Sequence, residues 1–213
     1  MTSLELMTEE VQVWVASLAV NDDRYDQLAV NLPRDETDYA ASLHPIAARR
    51  YVVARGILRK LLSGFTGTEP RKLRFNYGAA GKPSLSQHDA LHFNISHSAD
   101  LGLFAFSPDR PVGVDVENER PVRRLLDVAQ RFMTEDELRM LAETPADKRN
   151  SAFLRSWVVR EAKLKAEGKG VWSGNPGASS KLTHKLFAPR PNYIAAVAAA
   201  ANDWRLYTCA MKD

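Results

Sequence analysis

The sequence predicts an α+β protein, and three observations carry that expectation. Several segments alternate apolar and polar residues with the period of two that marks a half-buried strand: Val11, Val13 and Val15 early on, Leu91, Phe93 and Ile95 mid-chain, and Val112, Val114 and Val116 after them. Two longer segments, 35–62 and 151–168, instead repeat apolar residues every three or four positions, as helices do. The chain then closes on three strand-like runs, 181–187, 193–200 and 204–210, which read as a meander. Only a faint strand-helix-strand echo relates the two parts. The turn Ser107-Pro108-Asp109-Arg110-Pro111 is the place to divide them, giving an N-terminal half of 1–108 and a C-terminal half of 109–213.

At 213 residues the chain can bury a substantial core without covalent staples. Its single cysteine, Cys209, excludes an intrachain disulfide. Met1-Thr2-Ser3-Leu4-Glu5 lacks the basic and apolar blocks of a signal peptide, so a soluble cytoplasmic protein is expected. The longest apolar run, Tyr193 to Ala201, is nine residues, far short of the ~20 that span a bilayer. Net charge is +3 but unevenly spread, with nine Lys or Arg and one acid, Glu69, in residues 49–82. Such a segment suits a phosphorylated small molecule, a nucleic acid or an acidic protein, and it equally describes a solvated helix face.

Taken in order, residues 9–20 form a first strand, followed by a polar stretch around Asn21-Asp22-Asp23. From Asp35 to Leu62, residues Leu43, Ile46, Tyr51, Val53, Ile57, Leu58 and Leu61 fall at helical spacing, with a break near Pro45 and a stop at Gly64. Arg49, Arg50, Arg55, Arg59 and Lys60 lie here, where some can present a cationic surface. Leu73-Arg74-Phe75 is a short strand and Tyr77 to Pro83 a glycine-rich loop. It is not a P-loop, because the lysine-serine or lysine-threonine ending and the following helix are missing; Lys82 is either a phosphate contact or a surface lysine. In 91–98, Leu91, Phe93 and Ile95 pack while His92, Asn94 and Ser96 face the other way. His97, at the strand's end, can donate to a phosphate or cap a turn. Leu101 to Phe106 and the strand after Pro111 are expected to form a hairpin. Thr134-Glu135-Asp136-Glu137 is a capping box opening a helix that runs toward Glu143 and is stopped by Pro145. The helix of 151–168 buries Phe153, Leu154, Trp157 and Val158, Gly168-Lys169-Gly170 ends it, and Trp172 to Ser180 is a loop of small residues.

The chemistry gathers on Pro111-Val112-Gly113-Val114-Asp115-Val116-Glu117. A strand here sends its three valines into a core and projects Asp115 and Glu117 together from the opposite face. Neighbouring carboxylates raise each other's pKa, so they remain charged only if a cation bridges them or basic side chains pair with them; otherwise they are solvated acids on a strand edge. Magnesium suits the first case, taking one or two carboxylates and filling its other positions with water and substrate phosphate. Glu161 and Lys165 continue the stripe of Leu154 and Trp157, so both point inward, where Glu161 must pair with Lys165, bind a metal, or do both. Asp115, Glu117 and Glu161 make three oxygen ligands for a hard divalent ion, and Arg50, Lys82, His97 and Lys165 supply donors for phosphate. That set fits phosphoryl-type transfer, in which a metal neutralises developing charge and the protein positions two reactants. Two rival readings use the same residues. A metal-dependent nuclease would employ Asp115, Glu117 and Glu161-Ala162-Lys163, but its E-x-K belongs on a strand close after the aspartate, not 44 residues past Glu117 on a helical pattern. A non-catalytic module binding nucleic acid or an acidic protein through 49–82 would leave three inward carboxylates unexplained.

Phe93-Asn94-Ile95-Ser96-His97-Ser98, Gly113-Val114-Asp115-Val116-Glu117 and Trp157-Val158-Val159-Arg160-Glu161-Ala162-Lys163-Leu164-Lys165 resemble the three signatures of the 4'-phosphopantetheinyl transferases. The match is to the larger monomeric type that activates peptide and polyketide synthases. Gly81-Lys82-Pro83, Arg131-Phe132 and Gly168-Lys169-Gly170 extend the resemblance over residues 45–200. It implies a pseudo-dimer of two similar α+β halves with coenzyme A, and so the active site, in the cleft between them. It also implies magnesium on Asp115, Glu117 and Glu161 against the pyrophosphate, with phosphates held by Arg50, Lys82, His97 and Lys165. Arg55, from the same basic segment, and Ser96, from the first signature, join these as candidate coenzyme A contacts. In the implied reaction a carrier-protein serine attacks the β-phosphate and 3',5'-ADP leaves. Glu161, or a metal-bound water beside it, takes the serine proton, and Lys165 is the second catalytic candidate. Coenzyme A and apo acyl or peptidyl carrier proteins are the implied partners, with no nucleic acid and no membrane, in secondary-metabolite biosynthesis. The chain departs from the family at Arg160, a planar fork in place of the usual lysine, and in the loop 171–180. The carrier's acidic helix would approach nearby, onto an apolar spot rimmed by bases such as Lys163 and Lys169.

Overall fold

In the computed structural model, which describes residues 4–170 and 181–211, strand alternation sorts the side chains into layers. The elements are β1 (Glu10–Ser17), α1 (Asp22–Ala29), α2 (Arg34–Ala41), α3 (Pro45–Thr66), β2 (Phe75–Tyr77), β3 (Pro83–Leu85), β4 (His92–Ser98), β5 (Leu101–Ser107) and β6 (Val112–Asn118). They continue with α4 (Leu125–Ala129), α5 (Glu135–Glu143), α6 (Ala146–Ala166), β7 (Leu182–Phe187), β8 (Tyr193–Ala200) and β9 (Arg205–Ala210). One sheet runs β4-β5-β1-β9 and another β6-β8-β7, with β2 and β3 paired apart. Odd-numbered Val11, Val13, Val15, Leu101, Leu103 and Ala105 meet Val112, Val114, Val116, Val197 and the buried ring of Trp204 between the two sheets. The opposite face of the first sheet, with Phe93, Phe104 and Phe106, packs on Val53, Ile57, Leu58, Leu61 and Leu62 of α3. The opposite face of the second, with Ile194, Ala196 and Ala198, packs on Phe153, Leu154, Val158, Ala162 and Ala166 of α6. Helix, sheet, sheet and helix therefore stack in that order, an α+β architecture in which the valines of β6 face one way and Asp115 and Glu117 the other, toward α6.

Several expectations change. The hairpin is β4–β5, closed over Ala99 and Asp100, and not β5–β6: β6 leaves the first sheet and pairs with β8, as Asp115 opposite Ala196. The two prolines and Arg110 of the connection carry the chain between sheets, with Arg110 bonded to Asp109, Asp203 and the Ala200 carbonyl. The closing meander is only half present. β7 and β8 are antiparallel neighbours, but β9 crosses back to lie parallel with β1, Glu10 opposite Arg205. The polar stretch after residue 20 is helix α1, capped by the Asn21 side chain accepting from Arg24 N at 2.9 Å. Gly64 does not stop α3. It sits against Leu4, and the helix ends at Gly67, whose φ of 69° only glycine adopts easily. The helix pattern of 35–62 resolves into α2 and α3, broken before Pro45, and the capping box at Thr134 and Glu137 forms as expected.

Two details fix the helices that carry the site. Any Cβ at Gly113 would overlap the Ala162 carbonyl oxygen and the Ala166 nitrogen, so its absence lets α6 lie directly on β6. On the other side, Glu36 of α2 is buried between Arg55 and Arg59 of α3; Arg59 Nε reaches Glu36 Oε2 at 2.7 Å and its Nη1 donates to the Pro70 and Leu73 carbonyls. Both guanidiniums also lie over the Phe75 ring, 4.4 and 4.9 Å from its centre. Burial works to raise the Glu36 pKa, but the two arginines outweigh it and hold the carboxyl below its usual range. One acid thus joins α2, α3 and the start of the β2–β3 hairpin.

Candidate active site

β4 and β6 are edge strands of different sheets, running side by side in the same direction, so the edge amides of β6 need acceptors. That need explains an anomaly on the inner face of the first sheet. β1 and β5 present Val11, Val13, Val15, Leu101, Leu103 and Ala105 there, whereas β4 presents Asn94, Ser96 and Ser98, which stand opposite Ala105, Leu103 and Leu101. Asn94 Oδ1 accepts from Val114 N at 2.9 Å and Ser98 Oγ accepts from Asn118 N at 3.1 Å. Small polar side chains take the place of a backbone ladder.

The same side chains hold the acids. Asp115, 5% exposed, accepts at Oδ1 from Ser96 Oγ at 2.8 Å and from Lys165 Nζ at 2.6 Å, and Lys165 also reaches Ser96 Oγ at 3.1 Å. Glu117 accepts at Oε2 from Ser98 Oγ at 2.9 Å. Glu161, also 5% exposed, faces them from α6. Its carboxyl is pushed up from the ordinary range by burial first and then by the Asp115 charge; Glu117 is pushed up by burial, with Asp115 again adding to it. The sequence offered an ion pair with Lys165, a metal, or both for Glu161; the ammonium bonds Asp115, with Glu161 still within reach of its charge.

The cations gather unequally. His97 stands on the α3 side of β4, its pKa lowered by burial and by the nearby Lys165 and Arg50 charges. Arg50 bonds Asp100 Oδ1 through Nε at 3.1 Å and Nη2 at 2.8 Å, leaving a half-exposed guanidinium beside them. Lys82 is neither a solvated surface lysine nor directed at an acid: its Nζ donates to the Val112 carbonyl at 2.9 Å and the Ala166 carbonyl at 3.2 Å, next to Lys165 in the last turn of α6. Arg55 is a correction. It is 7% exposed, with its guanidinium bound to Glu36 and the Tyr77 hydroxyl, so it braces α2 and is not offered to a nucleotide. The wider basic segment is similarly occupied, with Arg49 on Asp22 and Lys72 on Glu69.

Burial lowers the Lys82 pKa to about 8 from its ordinary 10.5. The folded protein sheds this proton as pH rises through about 8 while the unfolded chain keeps it to about 10.5, so stability should climb between those values. The rise is expected to be ~3 kcal/mol at most. Thermal melts from about pH 7.5 to 10 should show it in the wild type and not in Lys82→Met. Equal slopes in the two would contradict the assignment.

Whether these residues suit a divalent cation is decided by their open oxygens. Among the described residues no group of three His, Cys, Asp or Glu forms a ready-made cage. Yet Asp115 Oδ2 and Glu161 Oε1 are buried with no hydrogen-bond partner. Two buried acceptors of like charge that face each other are relieved by a cation between them or by protonation of one, the direction in which burial and the Asp115 charge push Glu161. Magnesium takes one or two carboxylates and completes its shell with water and phosphate, so the residues fit it. The helical setting of Glu161 also removes the strand-borne arrangement that the nuclease reading required.

A separate cavity of about 550 Å³ lies on the far side of α6, floored by Phe132, Phe153 and Trp157 and bordered by Arg155, Arg160, Lys163 and His184 with one acid, Glu137. It contains none of the three acids. Sequence reasoning passed over Asn94 and Ser98 as functional positions, although Asn94, Ser96 and Ser98 at period two, on one face of the strand, were a usable signal. The loop 171–180 lies outside the described residues, and no helix among them is long and apolar enough to cross a membrane.

Comparison with known proteins shows the family. The family model described as the 4'-phosphopantetheinyl transferase superfamily matches residues 111–205, the stretch that holds all three acids. The chain is 34% identical over 220 residues to the 4'-phosphopantetheinyl transferase HetI of Nostoc sp. (strain PCC 7120), covering 95% of this chain and 93% of that protein. It is 32% identical over 138 residues to the 4'-phosphopantetheinyl transferase psf-1 of Bacillus pumilus, covering 65% of this chain and 58% of the other. Against the 4'-phosphopantetheinyl transferase Sfp of Bacillus subtilis (strain 168) it is 30% identical over 128 residues, covering 60% of this chain and 56% of the other.

Proposed function

The chain belongs to the 4'-phosphopantetheinyl transferase superfamily, and from that membership we propose that it transfers the phosphopantetheine arm of coenzyme A to a serine of an apo carrier protein in a magnesium-dependent reaction. The observation that carries the reading at the level of residues is the pair of partnerless buried oxygens, Asp115 Oδ2 and Glu161 Oε1, set beside Lys165, His97 and Arg50. Asp115, Glu117 and Glu161 would hold the cation, which when bound neutralises charge that develops on the pyrophosphate oxygens. Lys165 and Ser96 keep Asp115 oriented, and Lys165, His97, Arg50 and Lys82 supply donors for the nucleotide and its phosphates.

In the transfer the serine Oγ forms a bond to the β-phosphorus while the bond from that phosphorus to the bridging oxygen breaks, and 3',5'-ADP carries away the electron pair. Glu161 accepts the serine proton. Its place facing Asp115 and Glu117 sets it beside the reacting centre, where it, or a water held by the cation, can take that proton. The cavity of Phe132, Phe153 and Trp157 with its rim of Arg155, Lys163 and His184 supports an acidic, partly apolar docking element such as a carrier helix. Coenzyme A and the carriers of peptide or polyketide synthases are the partners of a monomeric cytoplasmic enzyme in this reading.

Incubation with magnesium, coenzyme A and several apo-carriers, followed by intact-mass spectrometry, should show the phosphopantetheine increment on at least one carrier and none when magnesium is chelated. Carriers that remain apo here, yet accept the arm from Sfp, would overturn the reading.

A further inference from the structure

We propose that Ser98 is the positioning residue for Glu117, fixing that carboxylate at the edge of β6 so that it can serve a divalent cation. The inference rests on the reading that Asp115, Glu117 and Glu161 hold such an ion. A serine has a single O–H to donate and lone pairs to accept with. At Ser98 the Asn118 N–H, at 3.1 Å, occupies a lone pair, and the only hydrogen is donated to Glu117 Oε2 at 2.9 Å. The backbone amide belongs to the residue directly after Glu117, so the hydroxyl is tied to the same stretch of strand that it aims. Ser98 is 8% exposed, which keeps water from replacing either bond.

The arrangement parallels the one beside it. Ser96 donates to Asp115 Oδ1, two residues earlier on both strands, but there Lys165 shares the task. Lys165 donates to Asp115, whereas among the described residues the side-chain hydrogen bond to Glu117 comes from Ser98. Asn94 completes the series by accepting from Val114 N, which holds β6 in register against β4. Removing a partner that orients a metal-binding carboxylate typically lowers metal affinity by roughly 10–100-fold.

The test is Mn2+ binding, followed by electron paramagnetic resonance in the presence of coenzyme A, for wild type, Asp115→Asn, Ser98→Ala and Ser98→Thr. Wild-type binding that Asp115→Asn weakens supports the cation site; equal binding in the two would remove that site and with it the premise. Given the site, Ser98→Ala should lose roughly tenfold or more in affinity, and Ser98→Thr, which keeps the hydroxyl, should bind within about threefold of wild type. A folded Ser98→Ala that binds Mn2+ as wild type does would overturn the proposal while leaving the cation site intact. If Ser98→Ala fails to fold, Ser98→Thr decides: wild-type affinity supports the role and weak affinity in a folded protein refutes it.

Discussion

Asp115→Asn is expected to lower the rate of carrier modification by about a thousandfold while the protein stays folded. The substitution keeps the shape and one acceptor oxygen for Ser96 but removes the charge. Lys165 Nζ, now 2.6 Å from Asp115 Oδ1, loses its counter-ion, and one of the two open buried oxygens is replaced or neutralised. Stabilisation of transition-state charge by a cation amounts to several kcal/mol, and each 1.4 kcal/mol is a factor of ten, which yields about three orders of magnitude. Initial rates by intact mass, with circular dichroism and a thermal melt as controls, measure it. A folded variant within tenfold of wild type would mean that Asp115 does not hold the ion.

Glu36→Gln should have the largest effect on stability while altering no proposed ligand. Arg55 and Arg59 are 7% and 2% exposed, and Glu36 is their shared counter-charge. Breaking a buried ion pair on one side typically destabilises by about 3–5 kcal/mol, because the charge left behind is uncompensated. In a chain of this size each kcal/mol moves the melting temperature by about 2–4 °C, so a fall of about 6–20 °C is expected. A calorimetric shift below about 2 °C would show that water or the carbonyls of Pro70 and Leu73 suffice for the arginines. Replacing all three residues by apolar ones of matching volume should be far milder than the single change.

The acids were legible in the sequence because they broke a periodicity. Asp115 and Glu117 are polar in a valine strand, and Glu161 and Lys165 sit on an apolar helical stripe, so local pattern alone assigned their direction. Partners across space were not legible. Nothing local distinguishes a lysine that meets Asp115 from one that meets Glu161, nor marks Arg55 as the mate of Glu36, 19 residues earlier. Basic residues in one segment looked like a surface because sequence counts charges without counting their neighbours. Pairing of strands failed for the same reason: the 107–111 turn has the composition of a hairpin, yet β6 finds β8 because its two faces must satisfy both the inter-sheet core and α6. Helix ends were better read where a side chain caps them, as at Thr134, than where a glycine had to be chosen between Gly64 and Gly67.

The return of β9 to lie beside β1 bears on how the protein is made. Synthesis proceeds from the N-terminus, so β1 emerges early with β9 still untranslated, and one flank of Val11, Val13 and Val15 stays uncovered until residue 210 has left the ribosome. A nascent chain that stalls before Arg205 therefore exposes an unpaired strand edge although Asp115, Glu117 and Glu161 have already been translated, which makes such an intermediate prone to aggregate.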